Sequence, residues 1–183
     1  MFDFADFYPI TGLLSVIVFV IPLAIAVKAD KIWKLGHETI SHLATNGFPL
    51  AAIMFNMGCV LSGMFSFIFG MGLLTVNGPM SWAAIPFMIA SLGIIAVGVI
   101  DRSYGLPHRV AAGIYFLSAV VSISLTAVAC FLEDDVWAGV IGAVLLTTMV
   151  LMCVTQRIQV FEPYLVFCNC TWTVLLSTLL LIE

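Results

Sequence analysis

Six long apolar runs, separated by short polar gaps, make up nearly the whole of this 183-residue chain. A run of about 20 apolar residues is long enough for an α-helix to cross the roughly 30 Å hydrocarbon core of a bilayer. Hydrophobic residues account for 63% of the sequence and charged residues for 9%, whereas ordinary soluble domains carry about 25% charged residues. The sequence therefore predicts an all-α, polytopic integral membrane protein, in which residues 1–183 form a single six-helix transmembrane domain.

The helix boundaries are predicted from the residues that precede or begin each run. A proline begins five of the runs, where its missing N–H costs nothing and its fixed φ suits the first turn. The acids Glu133, Asp134 and Asp135 precede the remaining run and can cap its free N–H groups. The prolines are Pro9, Pro49, Pro79, Pro107 and Pro163. The predicted helices cover about 9–27, 49–75, 79–100, 107–132, 135–155 and 163–182.

All the basic residues fall in the first, third and fifth gaps, which lie on one side of a membrane. They are Lys28, Lys31, Lys34, Arg102, Arg109 and Arg157. The positive-inside rule predicts that this side is cytoplasmic and that both termini are on the non-cytoplasmic side. The protein would lie in the cell membrane or, in a eukaryote, in an endomembrane. No basic surface is extensive enough to suggest nucleic acid as a partner.

The first gap is long enough to hold structure of its own. Its apolar residues Ile32, Leu35, Ile40 and Leu43 recur near helical spacing. This pattern predicts a possible amphipathic helix over 30–45, lying at the membrane interface. Gly36 lies within this segment and equally allows a partly irregular chain.

The same gap contains a sequence that is close to a zinc-binding motif but has the wrong spacing. In H-E-x-x-H the two histidines are four residues apart and share one face of a helix. His37 and His42 are five residues apart and face different directions, so we predict no metal site. Glu38 and His42 are four apart and share a face. They could form an oriented carboxylate–histidine pair or be ordinary surface structure.

The third gap adds an acid and a histidine at the same end of the predicted bundle. If the first and third gaps meet, a metal or acid–base site could still form from His37 or His42 together with His108, Glu38 and Asp101. The candidate catalytic residues are His108, His42, Glu38 and Asp101. The alternative is that interfacial loops collect polar residues without forming a site. The sequence leaves open whether the protein is an enzyme and indicates no particular cofactor.

Lipid headgroups are the ligands that this basic end would attract. A Lys or Arg near an anionic membrane surface contributes about 1 kcal/mol of attraction. Asn56 lies within the second run and could form the polar floor of a cleft, or a hydrogen bond between helices. The candidate headgroup-binding residues are Lys28, Lys31, Lys34, Arg102, Arg109, Ser41 and Asn56.

The segment from Ile40 to about Phe116 resembles a known membrane family. The resemblance rests on Ile40-Ser41-x-x-Ala44, Pro49, Phe55-Asn56, Gly63, Gly98, His108, Ala111-Ala112-Gly113 and Phe116. This pattern is similar to the DRAM/Frag-like superfamily of six-helix membrane proteins, and most similar to its prokaryotic relatives of unknown function. The resemblance implies a six-helix bundle and, from some eukaryotic members, roles in lipid remodelling or in endomembranes. His42 and Ala44 replace the family's usual acid and glycine, whereas His108 matches the family's histidine.

The sequence leads to three functional hypotheses. The first is that the protein binds or processes a lipid at a cleft on its basic face. The second is a non-enzymatic accessory or scaffold subunit, with other membrane subunits as partners, because so little of the chain lies outside the membrane. The third is a small transporter or lipid scramblase. Ion coupling is the least favoured form of transport, since no charged residue falls at the middle depth of a predicted helix.

Overall fold

The computed structural model describes the backbone of residues 4–182 and the side chains of residues 7–182. The described residues form six α-helices that are long and apolar enough to cross a membrane, the third together with the 3₁₀ helix that precedes it. The helices are α1 (Phe4–Ala29), α2 (Pro49–Leu73), α3 (Ala84–Val99), α4 (Leu106–Leu132), α5 (Val136–Thr155) and α6 (Ile158–Ile182). Short 3₁₀ helices cover Ile40–Ala44, Pro79–Ala83 and Arg102–Tyr104. The predicted all-α, six-helix membrane architecture is confirmed.

The starts of α1, α3 and α6 each differ from the predicted start by five residues, and the difference at α6 affects the candidate site. The sequence predicts a start at Pro163, but α6 begins at Ile158, so Pro163 lies inside the helix. The change of direction takes place just after α5, where Gln156 adopts an extended conformation with φ −111° and ψ 157°. Pro163 is the sixth residue of α6, so it removes the hydrogen bond that an N–H at this position would donate to the Gln159 carbonyl, a loss that membrane-spanning helices tolerate. Glu162 therefore belongs to α6 rather than to a connecting loop.

The predicted interfacial helix over 30–45 is wrong for most of its length, because only Ile40–Ala44 is helical and it is a 3₁₀ helix. The Asp30 carboxylate accepts hydrogen bonds from the N–H groups of Ile32 and Trp33, both at 3.0 Å. This local turn competes with helical hydrogen bonding. Gly36 then adopts a φ of +78°, a left-handed conformation that ends any regular helix.

Small residues let the helix backbones approach closely, as is typical of packing within lipid. A Cβ added to Gly93 of α3 would lie 2.7 Å from the backbone nitrogen of Tyr115 in α4. A Cβ added to Gly142 of α5 would lie 2.8 Å from the Trp172 ring of α6. The indole Nε1 of Trp172 donates a 2.8 Å hydrogen bond to Thr126 Oγ1 of α4. Helices α3 to α6 are therefore in close contact.

The connections at each end of the bundle contact one another. The guanidinium of Arg102, between α3 and α4, donates to Ser41 Oγ, between α1 and α2, at 3.1 Å. At the opposite end, a Cβ added to Gly78 would lie 2.9 Å from a carboxylate oxygen of Glu133. We call the end that contains Arg102 the basic end. Every Lys and Arg of the sequence lies in, or next to, the α1–α2, α3–α4 or α5–α6 connection at this end.

Candidate functional site

A cavity of about 570 Å³ lies at the basic end. Ligand sites in proteins typically enclose about 300–1,000 Å³. Its walls come from the two connections described above and from α1, α2, α3, α4 and α6. The polar lining residues are Thr39, Ser41, Arg102, His108, Arg109, Tyr115 and Glu162, and the larger apolar ones are Phe19, Ile40, Phe55, Ile94, Val97, Phe116, Ile158 and Val166. We call this space the basic-end cavity.

Four of these polar residues, Thr39, Ser41, Arg102 and Glu162, form a cluster that joins three parts of the chain. Arg102 Nη1 donates hydrogen bonds to the hydroxyl groups of Thr39 and Ser41. The Glu162 carboxyl group lies close to the backbone N–H groups of Ile40 and Ser41 and to the Thr39 hydroxyl, and Arg102 attracts it. Those two N–H groups are the first of the 3₁₀ helix, so Glu162 lies at its N-terminal end. This polar cluster holds the first and third connections against α6.

His108 presents a hydrogen-bond acceptor to the cavity. The side chain lies in the first turn of α4 and is only 4% exposed. Its Nδ1 lies 2.6 Å from the carbonyl oxygen of Ile100. A carbonyl oxygen can only accept, so Nδ1 carries a proton, and in the neutral form of the ring Nε2 has a free lone pair. A hydroxyl or ammonium group of a ligand in the basic-end cavity could donate to that nitrogen.

The cavity reaches the surface of the bundle at Gly113. This glycine lines the cavity and is exposed, and a Cβ added to it would have no other atom within 4 Å. Arg109, one turn earlier on α4, is also exposed and also lines the cavity. The neighbouring Val110, Ile114 and Leu117 are exposed apolar side chains, as expected for a surface that faces lipid. The cavity is thus accessible from the side of the bundle.

The structure brings together four of the residues that the sequence singles out, namely Ser41, Arg102, His108 and Arg109. The exposed lysines Lys28, Lys31 and Lys34 do not line the cavity. Asn56 is also absent from the lining, and its buried Oδ1 has no hydrogen-bond partner among the described residues.

Three candidate catalytic residues do not line the cavity and form hydrogen bonds within the connections. His42 Nδ1 accepts a 3.1 Å hydrogen bond from the Thr39 N–H and so helps to cap the 3₁₀ helix. Glu38 accepts from the Asn46 side chain at 3.0 Å, which agrees with the alternative of ordinary surface structure rather than a pair with His42. Asp101 accepts from the Ser103 N–H at 2.7 Å and caps the short helix Arg102–Tyr104.

Thr39, Tyr115 and Glu162 are the polar lining residues that the sequence reasoning missed. With the last helix expected to start at Pro163, Glu162 falls in the predicted connecting gap. A signal was available, because Glu162 is the only acid between Asp135 and Glu183 and it lies at the basic end. No group of three His, Cys, Asp or Glu side chains within residues 7–182 is arranged to hold a metal ion.

The first connection can be tested through Asp30, which is 4% exposed. Its carboxylate accepts from two backbone N–H groups and from the Asn46 side chain at 2.9 Å. Leaving buried donors without acceptors costs about 1–3 kcal/mol. We expect Asp30→Ala to lower the free energy of unfolding in detergent by about that amount. Glu38→Ala, which removes one acceptor from the same Asn46, should cost less. Equal losses in the two variants would contradict the assigned role of Asp30.

Comparison with known protein families identifies one that matches this sequence. A model of the family described as "Protein of unknown function (DUF998)" matches residues 13–179, which is most of the chain. No curated protein and no solved structure matches the sequence. The matched range contains all the residues that line the basic-end cavity. The chain therefore belongs to the DUF998 family of integral membrane proteins, whose function is unknown.

Proposed function

We propose that this integral membrane protein binds a lipid with an anionic headgroup in the basic-end cavity. The observation that carries the proposal is the combination of a cationic polar end, an apolar wall and a lateral opening at Gly113 in one cavity. A lipid needs all three, because its headgroup stays at the interface, its chains are apolar and it arrives from within the bilayer.

The headgroup would lie between Arg109 and His108. The Arg109 guanidinium has no hydrogen-bond partner among the described residues and is exposed at the mouth. A free guanidinium can form two parallel hydrogen bonds to a phosphate or carboxylate. Arg102 lies deeper in the polar cluster beside Glu162, which offsets its charge, so Arg109 is the main cation for the headgroup. His108 Nε2 can accept a hydrogen bond from a hydroxyl or ammonium group of the same headgroup.

An acyl chain would lie along the apolar wall formed by Phe55, Ile94, Phe116 and Val166. Moving a chain from lipid into an apolar cavity changes its surroundings little, since the bilayer interior is equally apolar. Affinity and selectivity would therefore come mainly from the headgroup contacts. If the protein also processes the lipid, His108 is the one candidate catalytic residue from the sequence that lines the cavity.

The resemblance to the DRAM/Frag-like superfamily supports the same proposal. It covers the segment from Ile40 to about Phe116, which includes His108 and Gly113. We infer that the chain is a distant relative of that superfamily. A role with lipids agrees with the lipid remodelling attributed to some of its eukaryotic members.

Native mass spectrometry of protein purified from its own membrane tests the proposal. We expect the variant His108→Ala with Arg109→Ala to retain at least about tenfold less lipid, because each hydrogen bond to a charged group contributes about 1.5–3 kcal/mol. The control, Lys31→Ala with Lys34→Ala, removes two charges outside the cavity and should keep its lipid. Unchanged lipid in the first variant, or equal loss in the control, would refute the assigned site.

A further inference from the structure

A second, smaller cavity of about 30 Å³ lies among the helices, and residues from α1, α2, α3, α4 and α6 line it. We call it the inner cavity. Much of its lining is polar, although it is enclosed by membrane-spanning helices. The polar residues include Ser15 of α1, Ser91 of α3 and Thr173 of α6, each no more than 3% exposed.

These three hydroxyl groups act as acceptors towards the inner cavity. Each donates its own hydrogen to a backbone carbonyl of the preceding turn: Ser15 to Gly12 at 2.7 Å, Ser91 to Phe87 at 2.8 Å and Thr173 to Asn169 at 2.9 Å. A hydroxyl oxygen that donates in this way still has lone pairs to accept with. The cavity is therefore lined by oxygen atoms that can accept a hydrogen bond from a donor inside it.

Tyr115 adds a hydrogen-bond donor to the same space. Its hydroxyl oxygen accepts from Asn169 Nδ2 at 3.0 Å, whereas its own hydrogen has no acceptor among the described residues. The side chain is only 7% exposed. A buried donor and several buried acceptors around one small space are the arrangement that an internal water satisfies.

We propose that the inner cavity holds one or two ordered water molecules. A water needs about 10–15 Å³ of such space and two to four polar partners, and the cavity provides both. Phe19, Ile94 and Tyr115 line this cavity and the basic-end cavity alike. These three side chains therefore lie between the two cavities, and Tyr115 is the polar one.

The helices pack closely between the inner cavity and the opposite end of the bundle. A Cβ added to Gly12 would lie 2.0 Å from Ser177 Oγ, and one added to Gly72 would lie 2.0 Å from the Tyr8 ring. These two contacts leave no space for a water molecule between the helices that form them.

Radiolytic hydroxyl-radical labelling with mass spectrometry tests this water site. Phe87 lines the inner cavity but not the basic-end cavity. Phe69 packs edge-on against it, with ring centroids 5.2 Å apart, and lines neither. The two rings have the same intrinsic reactivity. We expect several times more labelling of Phe87 than of Phe69. Equal, low labelling of both rings would overturn the proposal.

A pair of variants identifies the groups that hold the water. Ser91→Ala with Thr173→Val removes two acceptors with little change of volume and should lower Phe87 labelling towards that of Phe69. The control Thr178→Val removes an exposed hydroxyl with the same kind of backbone hydrogen bond, at 2.7 Å, and should leave labelling unchanged. Full Phe87 labelling in the double variant would contradict the assignment. The readout is water, so it is independent of whether lipid binds.

Discussion

Gly113→Trp should abolish lipid retention and leave the fold intact. A side chain at this position extends into open space at the lateral mouth of the basic-end cavity, since no atom would lie within 4 Å of its Cβ. An indole there would close the route from the bilayer. We expect at least about tenfold less bound lipid, a loss of roughly 1.4 kcal/mol or more. The melting temperature should not fall, because replacing a glycine within a helix removes a penalty of up to about 1 kcal/mol.

Two control variants distinguish a blocked cavity opening from a general loss of folded structure. Gly113→Ala gains the same backbone stabilisation without filling the mouth and should keep its lipid. Leu117→Trp adds an indole one turn further along α4, where the side chain is 69% exposed and does not line the cavity. Lipid retained by Gly113→Trp, or lost equally by Leu117→Trp, would argue against lateral access at Gly113.

Gly93→Ala should destabilise the bundle even though alanine is the better helix former. Its Cβ would lie 2.7 Å from the backbone nitrogen of Tyr115 and 2.8 Å from its Cα. Backbone atoms cannot rotate away, so α3 and α4 would have to separate. Overpacking costs about 1–3 kcal/mol, and the gain in helix propensity offsets at most about 1 kcal/mol of it. Gly93→Leu should be considerably worse.

Unfolding in a fixed detergent measures this effect, with Gly113→Ala as the matched control. Both changes replace a helical glycine by alanine, but only Gly93 has backbone within contact distance of the added methyl group. We expect a lower melting temperature for Gly93→Ala and an unchanged or higher one for Gly113→Ala. Because Tyr115 lines both cavities, Gly93→Ala should also weaken lipid retention. Equal stability of the two variants would contradict the close α3–α4 contact.

The helices could be predicted because a membrane imposes one simple requirement, about 20 apolar residues in a row. The first connection could not be predicted in the same way. Its apolar spacing indicates a helix, but Asp30 forms a turn with the following N–H groups and Gly36 takes a left-handed conformation. Such short-range hydrogen bonds compete with helical ones and leave no trace in hydrophobic periodicity.

Part of the site could be predicted because alternate gaps must lie at the same end of a bundle. That reasoning led to Ser41, Arg102, His108 and Arg109, which the structure brings to one cavity. That reasoning could not distinguish them from residues that form hydrogen bonds only within their own connection. Whether a carboxylate such as Asp101 faces a cavity or caps its own short helix depends on backbone turns that only the structure reveals.

The most direct test is a density map of the protein in nanodiscs made from its own membrane. We predict elongated density that begins beside the Arg109 guanidinium and His108, runs along Phe116 and Val166, and leaves the bundle at Gly113. A basic-end cavity that contains only water, in protein that copurifies with lipid bound elsewhere, would contradict the central claim.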